Sequence, residues 1–245
     1  MKIIKRVFLG IVLTLLLMTA GLVIWGNQAA PASEVAIQAL ESDARVKVAQ
    51  QDGFITFEPL ASEPVVGFVL VPGGRVDYRA YAPVLHQIAA RGYFVAMVKV
   101  RINLAFFDIN APDRVIYKYP NIQHWAVGGH SLGGVAAASY ASKHPGSLDG
   151  LVLWAAYPGD DSLASAKLKV ISIYGTKDKP GMEPFDKSRT QLPSDTQFII
   201  LDGGNHAQFG SYGLQAGDGV ATISPEEQWS QAAEATADFL GSLVP

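Results

Sequence analysis

Gly128-Gly129-His130-Ser131-Leu132-Gly133-Gly134 is the stretch on which the rest of the chain turns. Before it, Trp125 to Gly129 is an apolar run that reads as a buried strand; after it, Ser131 to Lys143 is rich in small residues and reads as a helix. A sharp strand-to-helix turn carrying G-x-S-x-G projects its serine away from the backbone, and Gly129 and Gly133 remove Cβ atoms that would collide there. The start of the following helix favours developing negative charge, so the amide of Leu132, next after the serine, is the expected oxyanion donor. Alone, the same pentapeptide also fits a plain glycine-rich turn with an idle serine.

A serine hydroxyl is a weak nucleophile until a histidine takes its proton and an acid orients that histidine. Downstream, Asp178 follows the apolar run Val170 to Tyr174 through Gly175-Thr176-Lys177, and His206 follows Gln197 to Leu201 through Asp202-Gly203-Gly204-Asn205. Both positions lie just past the carboxyl end of an expected strand, the edge where sites assemble in an open parallel sheet. Asp160 and Asp161, after Tyr157-Pro158-Gly159, are the alternative acids, while Asp202 suits a turn. His86, His124 and His144 read as ordinary helix or strand-end residues. His130 adjoins the serine, and its side chain is expected to point away from the catalytic side into packing or a hydrogen bond.

Further out, the pattern alternates. Val46 and Val48 alternate with polar residues, Asp52-Gly53 is a turn, and Phe54 to Phe57 resumes an extended pattern, which gives an opening antiparallel hairpin. Val65 to Val71 is a continuous apolar run ending at Pro72-Gly73-Gly74, as expected of a strand covered on both faces. A helix around Val84, Leu85, Ile88 and Ala89, a strand from Tyr93 to Val100, a short helix near Ala111 to Tyr117 capped by Asn110, and a strand from Leu148 to Ala155 continue the series. The last helix opens with Ser224, Pro225 and Glu227, a capping box with proline in its first turn. The expected fold is α/β, a three-layer sandwich on a mostly parallel sheet with an antiparallel N-terminal hairpin. Only Tyr157 to Lys169 separates the strand after the elbow helix from the strand that leads to Asp178, too little for a large cap domain.

The N-terminus is a separate feature. Lys2, Lys5 and Arg6 precede 19 uncharged residues from Val7 to Trp25, close to the roughly 20 that cross a bilayer core. Residues 1–26 are therefore expected to be a transmembrane anchor or signal segment, 27–44 a connector, and 45–245 the folded domain. With the positive flank inside, the domain emerges on the extracytoplasmic side and Trp25 sits near the far interface. Small residues at Gln28-Ala29-Ala30 and Ala30-Pro31-Ala32 leave open a cleaved signal and secretion.

These motifs resemble the α/β-hydrolase superfamily, and within it the small bacterial dienelactone-hydrolase-like serine hydrolases. The resemblance runs from about Phe54 to the C-terminus and rests on GGHSLGG, VPGGRVDYRAYAPV, INLAFF, YGTKD and GGNHAQFGSYGLQAGDG. It implies a serine hydrolase with Ser131 as nucleophile, Asp178 as acid and His206 as base. Pro72-Gly73-Gly74-Arg75 stands where the superfamily commonly has a His-Gly oxyanion motif, so Gly74 or Arg75 is expected to join Leu132 as donor. Dienelactone hydrolases carry cysteine at the elbow, and this chain has serine.

Composition removes other classes. The absence of cysteine excludes disulfides, thiolate zinc sites, a thiol nucleophile and a lipidated N-terminal cysteine. A net charge of -3 offers no basic stripe for nucleic acid. No metal or nucleotide motif occurs, and a serine mechanism needs no cofactor. Phe106, Phe107, Tyr157, Met182, Phe209 and Tyr212 are expected to border an open or shallow site suited to short or medium acyl or aromatic esters. The partners are then a small-molecule ester and, through the N-terminal segment, the membrane. An acyltransferase with the same triad and a tethered, non-catalytic binding scaffold remain as alternatives; oligomeric state is not legible.

Overall fold

The computed structural model describes residues 2–179, 181 and 183–244. Helix α1 spans Lys2–Asn27, and a short capped helix α2 (Glu34–Gln38) follows, with Ser33 Oγ accepting from Ala36 N. Strands β1 (Val46–Gln51) and β2 (Phe54–Pro59) form the opening hairpin, with Gly53 at φ 84° in its turn. Then come β3 (Val66–Val71), α3 (Ala82–Ala89), β4 (Phe94–Val98), α4 (Asp113–Ile116), β5 (His124–His130), α5 (Leu132–Lys143), β6 (Gly150–Trp154), β7 (Lys169–Gly175), α6 (Glu183–Ser188), β8 (Gln197–Leu201) and α7 (Pro225–Gly241). The eight strands make one sheet in the order β1-β2-β4-β3-β5-β6-β7-β8. The β1/β2 and β2/β4 pairs are antiparallel; every pair from β4/β3 to β7/β8 is parallel.

The unbroken apolar runs follow from burial on both sides, since successive strand residues face opposite layers. Phe68 and Leu70 of β3 pack with α3 and α7, whereas Val69 and Val71 pack with α5 on the other face. Trp154 is fully buried under α7, where its Nε1 donates to Thr236 Oγ1 at 3.1 Å. Ser224 caps α7 by accepting from Glu227 N at 3.1 Å, and Trp229, Ala232, Ala233, Phe239 and Leu240 form its inward stripe. Each large apolar side chain so buried contributes about 1.5–3 kcal/mol relative to exposure. One local expectation differs: α4 is shorter, starting at Asp113 with Pro112 as its N-cap, and Asn110 takes part through its backbone carbonyl, accepting from Asp113 N, without capping by its side chain. Between β6 and β7, residues 155–168 carry only turns and no cap.

Residues 27–44 are more than a spacer. Ala30 forms a parallel bridge with Val76, its N–H donating to Arg75 O at 2.8 Å while its carbonyl accepts from Asp77 N at 2.9 Å. Ser33 N donates to Ser211 O at 2.8 Å, and Ala36 is fully buried.

Candidate active site

Parallel β5 delivers Ser131 at its carboxyl end, in a turn that leaves no room for side chains around it. A Cβ on Gly129 would lie 2.3 Å from Gly133 C, one on Gly133 would lie 2.2 Å from Val71 O, and one on Gly134 would lie 2.3 Å from Ala156 Cβ. Glycine is needed there for close backbone approach. Ser131 itself adopts φ 53°, ψ -123°, a conformation that costs a non-glycine residue about 1–3 kcal/mol. It is held by Ser131 N donating to Trp154 O at 3.0 Å and by Ser131 O accepting from Gly134 N at 2.9 Å.

Asp178 and His206 arrive from the ends of β7 and β8. Asp178 Oδ1 lies 3.1 Å from His206 Nδ1, and the two side chains are 1% and 12% exposed. Burial raises the Asp178 carboxyl's pKa, opposed by its hydrogen bond and charge interaction with His206. Its second oxygen, Oδ2, is buried without a partner among the described residues. With Nδ1–H donating to Asp178, the basic nitrogen of His206 is Nε2. Ser131, Asp178 and His206 line one cleft of about 290 Å³ together with Tyr157 and Phe185. Among the described residues no hydrogen bond joins the Ser131 hydroxyl to the imidazole. Asp160 and Asp161 are exposed, and Asp160 Oδ1 accepts from Ser162 N at 3.0 Å within its own turn. Asp202 accepts from Thr176 Oγ1 at 3.1 Å, the turn role expected of it.

The histidine loop hangs on residues whose part was only half visible in the sequence. Asp218 accepts from His206 N at 3.3 Å, Ala207 N at 2.8 Å and Gly219 N at 2.7 Å. Gln228, buried on α7, accepts from Asn205 N at 3.0 Å and donates to Asn205 O at 2.8 Å. Behind His206 lies His130, with ring centroids 4.6 Å apart. Tyr81 OH accepts from Gly73 N at 3.0 Å and shares a hydrogen bond with His130 Nδ1 at 2.8 Å. Full burial, followed by the nearby His206, holds the His130 pKa well below the usual imidazole range, so it is neutral. The glycines Gly213, Gly217 and Gly219 call for side-chain hydrogen bonds to hold tight turns beside the histidine and make Asp218 a candidate for that role in the sequence, whereas nothing in the spacing of Tyr81 marks it as support for the site.

A second, larger cleft of about 650 Å³ reaches Ser131 from the other side, past Leu132, Gly74, Arg75 and Tyr212. Gln215 borders both clefts. Gly74 packs directly on Leu132, since a Cβ on Gly74 would lie 2.8 Å from Leu132 Cδ2. The amide of Arg75 is already engaged, donating to Asn103 O at 2.8 Å, while those of Gly74 and Leu132 have no acceptor among the described residues. Tyr157 lines the smaller cleft and Tyr212 the larger. Phe209 is 1% exposed and stacks on His130 and Trp154, which makes it a core residue. Phe106 and Phe107 are half exposed and line neither cleft, because the 3-10 turn Ala105–Phe107 buries Ala105 and turns them outward. Met182 lies outside the described residues.

A family profile described as the alpha/beta hydrolase family matches residues 67–230. The chain belongs to that family. Its fold is shared by the esterase domain of a Rhodothermus marinus protein, at TM-score 0.61 and 13% identity over 80% of this chain and 97% of that one. A propionate-bound thermophilic esterase from Thermogutta terrifontis superposes at TM-score 0.57 and 14% identity, covering 82% and 94%. A putative dienelactone hydrolase from Klebsiella pneumoniae does so at 0.56 and 13%, covering 80% and 98%. A search of curated proteins returns no match to the sequence.

Proposed function

We propose that this hydrolase cleaves carboxylic esters through an acyl-enzyme on Ser131. The observation that carries this is the buried Asp178 bonded to His206 Nδ1, on the wall of the cleft into which the strained elbow turns Ser131. His206 Nε2 takes the Ser131 proton as Oγ attacks the ester carbonyl carbon; the oxyanion is bound by the amides of Leu132 and Gly74. Arg75 is set aside as donor because its amide is engaged. His206 then gives the proton to the departing alkoxide, and water, activated by the same nitrogen, releases the acid. Asp178 stabilises the imidazolium in both rounds. Contacts between nucleophile and base are often long in substrate-free enzymes and tighten in the reacting complex. The esterase titles among the structural neighbours support the ester class.

The same proposal places α1 in a membrane, with the catalytic domain outside the cytoplasm. The most apolar 18-residue window within Ile4–Asn27 has mean hydropathy 2.7, and none of it is buried against the domain. Retention of the helix is supported by Ala30, whose backbone is committed to the bridge with Val76 at the point where cleavage would fall.

The test is labelling of the full-length chain in detergent by a fluorophosphonate, comparing wild type with Ser131→Ala and His206→Ala. Labelling of wild type at Ser131, lost in both variants, is the expected result. A folded wild type that takes no label overturns the mechanism.

A further inference from the structure

We infer, resting on Ser131 as nucleophile and α1 as anchor, that the larger cleft receives the acyl chain of an ester held in the bilayer. The substrate class is then long-chain acyl lipids.

The cleft is walled on one side by the foot of the anchor. Trp25, Ala29 and Ala30 line it together with Leu104, Leu132 and Leu214, and Arg75 is the one charged residue among those lining it. Leu214 stands 96% exposed at this opening. The anchor is not loosely strung there. Arg75 Nε donates to Trp25 O at 3.0 Å, its Nη2 donates to Gln28 O at 3.0 Å, and its guanidinium lies 4.5 Å over the Trp25 ring. Asn103 Nδ2 donates to Gly26 O at 3.2 Å, and a Cβ on Gly26 would come within 2.6 Å of Ile102 O.

Three of the non-glycine residues with positive φ sit in this junction: Arg75 at 56°, Ile102 at 46° and Asn103 at 52°. Such backbone persists only where surrounding contacts fix it, and a β-branched Ile102 is an outlier there. The domain is therefore seated on the helix end. The 24 residues of Ile4–Asn27, at about 1.5 Å each, span a hydrocarbon core of about 30 Å and leave Trp25 at the interface. The cleft beside Ser131 then opens at headgroup level.

The direction of the chemistry selects which part of the ester lies where. The alcohol leaves with the proton that His206 donates, so it departs on the His206 side, through the smaller cleft. The acyl group, whose carbonyl oxygen faces Leu132 and Gly74, is left to the larger, anchor-walled cleft. Attack by Ser131 Oγ forms the acyl-serine bond as the ester C–O bond breaks, and water then yields the fatty acid and restores the serine.

The full-length chain is reconstituted in vesicles of ether-linked phosphatidylcholine, which has no ester to cleave. The vesicles are doped with dioleoylglycerol or with dioleoylphosphatidylcholine, and p-nitrophenyl butyrate is supplied in the water. The expected result is oleate release from at least one dopant, rising with its mole fraction in the bilayer at constant bulk amount; which dopant is used separates glycerides from phospholipids. Trp25→Ala and Leu214→Asp should each lower the ratio of oleoyl to butyryl kcat/KM about tenfold, the loss expected for uncovering one large apolar contact. Turnover of the butyryl ester with fluorophosphonate labelling, but no oleate from either dopant, overturns the inference and leaves the hydrolase reading standing. A chain that labels but does not float with the vesicles overturns the anchor and the inference with it. Floating chain with no labelling and no turnover of any ester overturns the proposed mechanism and the inference together.

Discussion

Two regions meet at Ser131 and are built in opposite ways. Around the elbow, the close approaches are made by backbone and glycines gathered at the carboxyl ends of the neighbouring strands β3, β5 and β6: Gly129 on Gly133, Gly133 on Val71, Ser131 on Trp154. At the foot of α1 the partners are 47 to 77 residues apart, Arg75 with Gln28 and Asn103 with Gly26 at the extremes. The elbow makes its constraint with missing side chains, the junction with long polar ones. A constraint of the first kind tolerates no addition; one of the second kind fails by subtraction and in steps.

The comparison sharpens first on activity. Ser131→Ala should cut ester hydrolysis by about 10⁴-fold or more, and Asp178→Asn by roughly 10⁴-fold through loss of the imidazole's orientation, both read as kcat on a soluble ester. Asp178→Asn should also melt higher than wild type at neutral pH. Burial raises this carboxyl's pKa, so the folded state favours its protonated form, and stability falls as pH rises through the folded value. A variant that cannot ionise there escapes that loss. An unchanged or lower melting temperature would show that the His206 bond outweighs burial.

Gly133→Ala, which places a Cβ 2.2 Å from Val71 O, should destabilise by more than about 3 kcal/mol, checked by denaturant unfolding. Arg75→Ala removes two hydrogen bonds to carbonyls and the stack on Trp25. About 2 kcal/mol of local stability should go, seen as new protease cleavage between Gln28 and Ala32. Arg75→Lys should not restore protection, since a lysine cannot reach both carbonyls while lying flat on the indole. If Gly133→Ala proved mild and Arg75→Ala unfolded the whole domain, the contrast between the regions would be reversed.

The smallest effect concerns His130. Around it lie Tyr81, His206, Phe209 and Tyr212, with no carboxylate bonded to it among the described residues, and it is held neutral. Its depressed pKa contributes stability that is present above the unfolded value of about 6.5 and is lost as pH falls toward the folded one. Wild type should thus lose up to about 1.4 kcal/mol per pH unit below that point, and His130→Phe should lose less, by thermal melts across the acid range.

Legibility in the sequence follows the same division. The strands, the elbow and the three residues proposed for catalysis were readable because each is announced by its neighbours: an apolar run, then glycines, then the reactive side chain. Which aromatics face the cleft was not. Phe209 is drawn into the core by Trp154 and His130, and Phe106 and Phe107 are turned out by a 3-10 turn that has no apolar period. The polar look of residues 27–44 suggested a connector because their partners, Arg75, Asp77 and Ser211, are loop residues that only the folded sheet brings near. Tyr81 escaped for the same reason, since its bond to His130 crosses 49 residues and leaves no local periodicity, whereas Asp218 is flagged by the glycines around it.

A domain on a slack leash samples many heights above the surface that holds it. With α1 held in a bilayer as proposed, Gly26 against Ile102 and Arg75 across Trp25 would fix one height and one heading, so the proposed reacting atoms would meet a thin slice of whatever lies beside the helix. Selectivity would then be set partly by altitude: two esters of identical chemistry, buried a few ångströms apart in depth, would be different substrates.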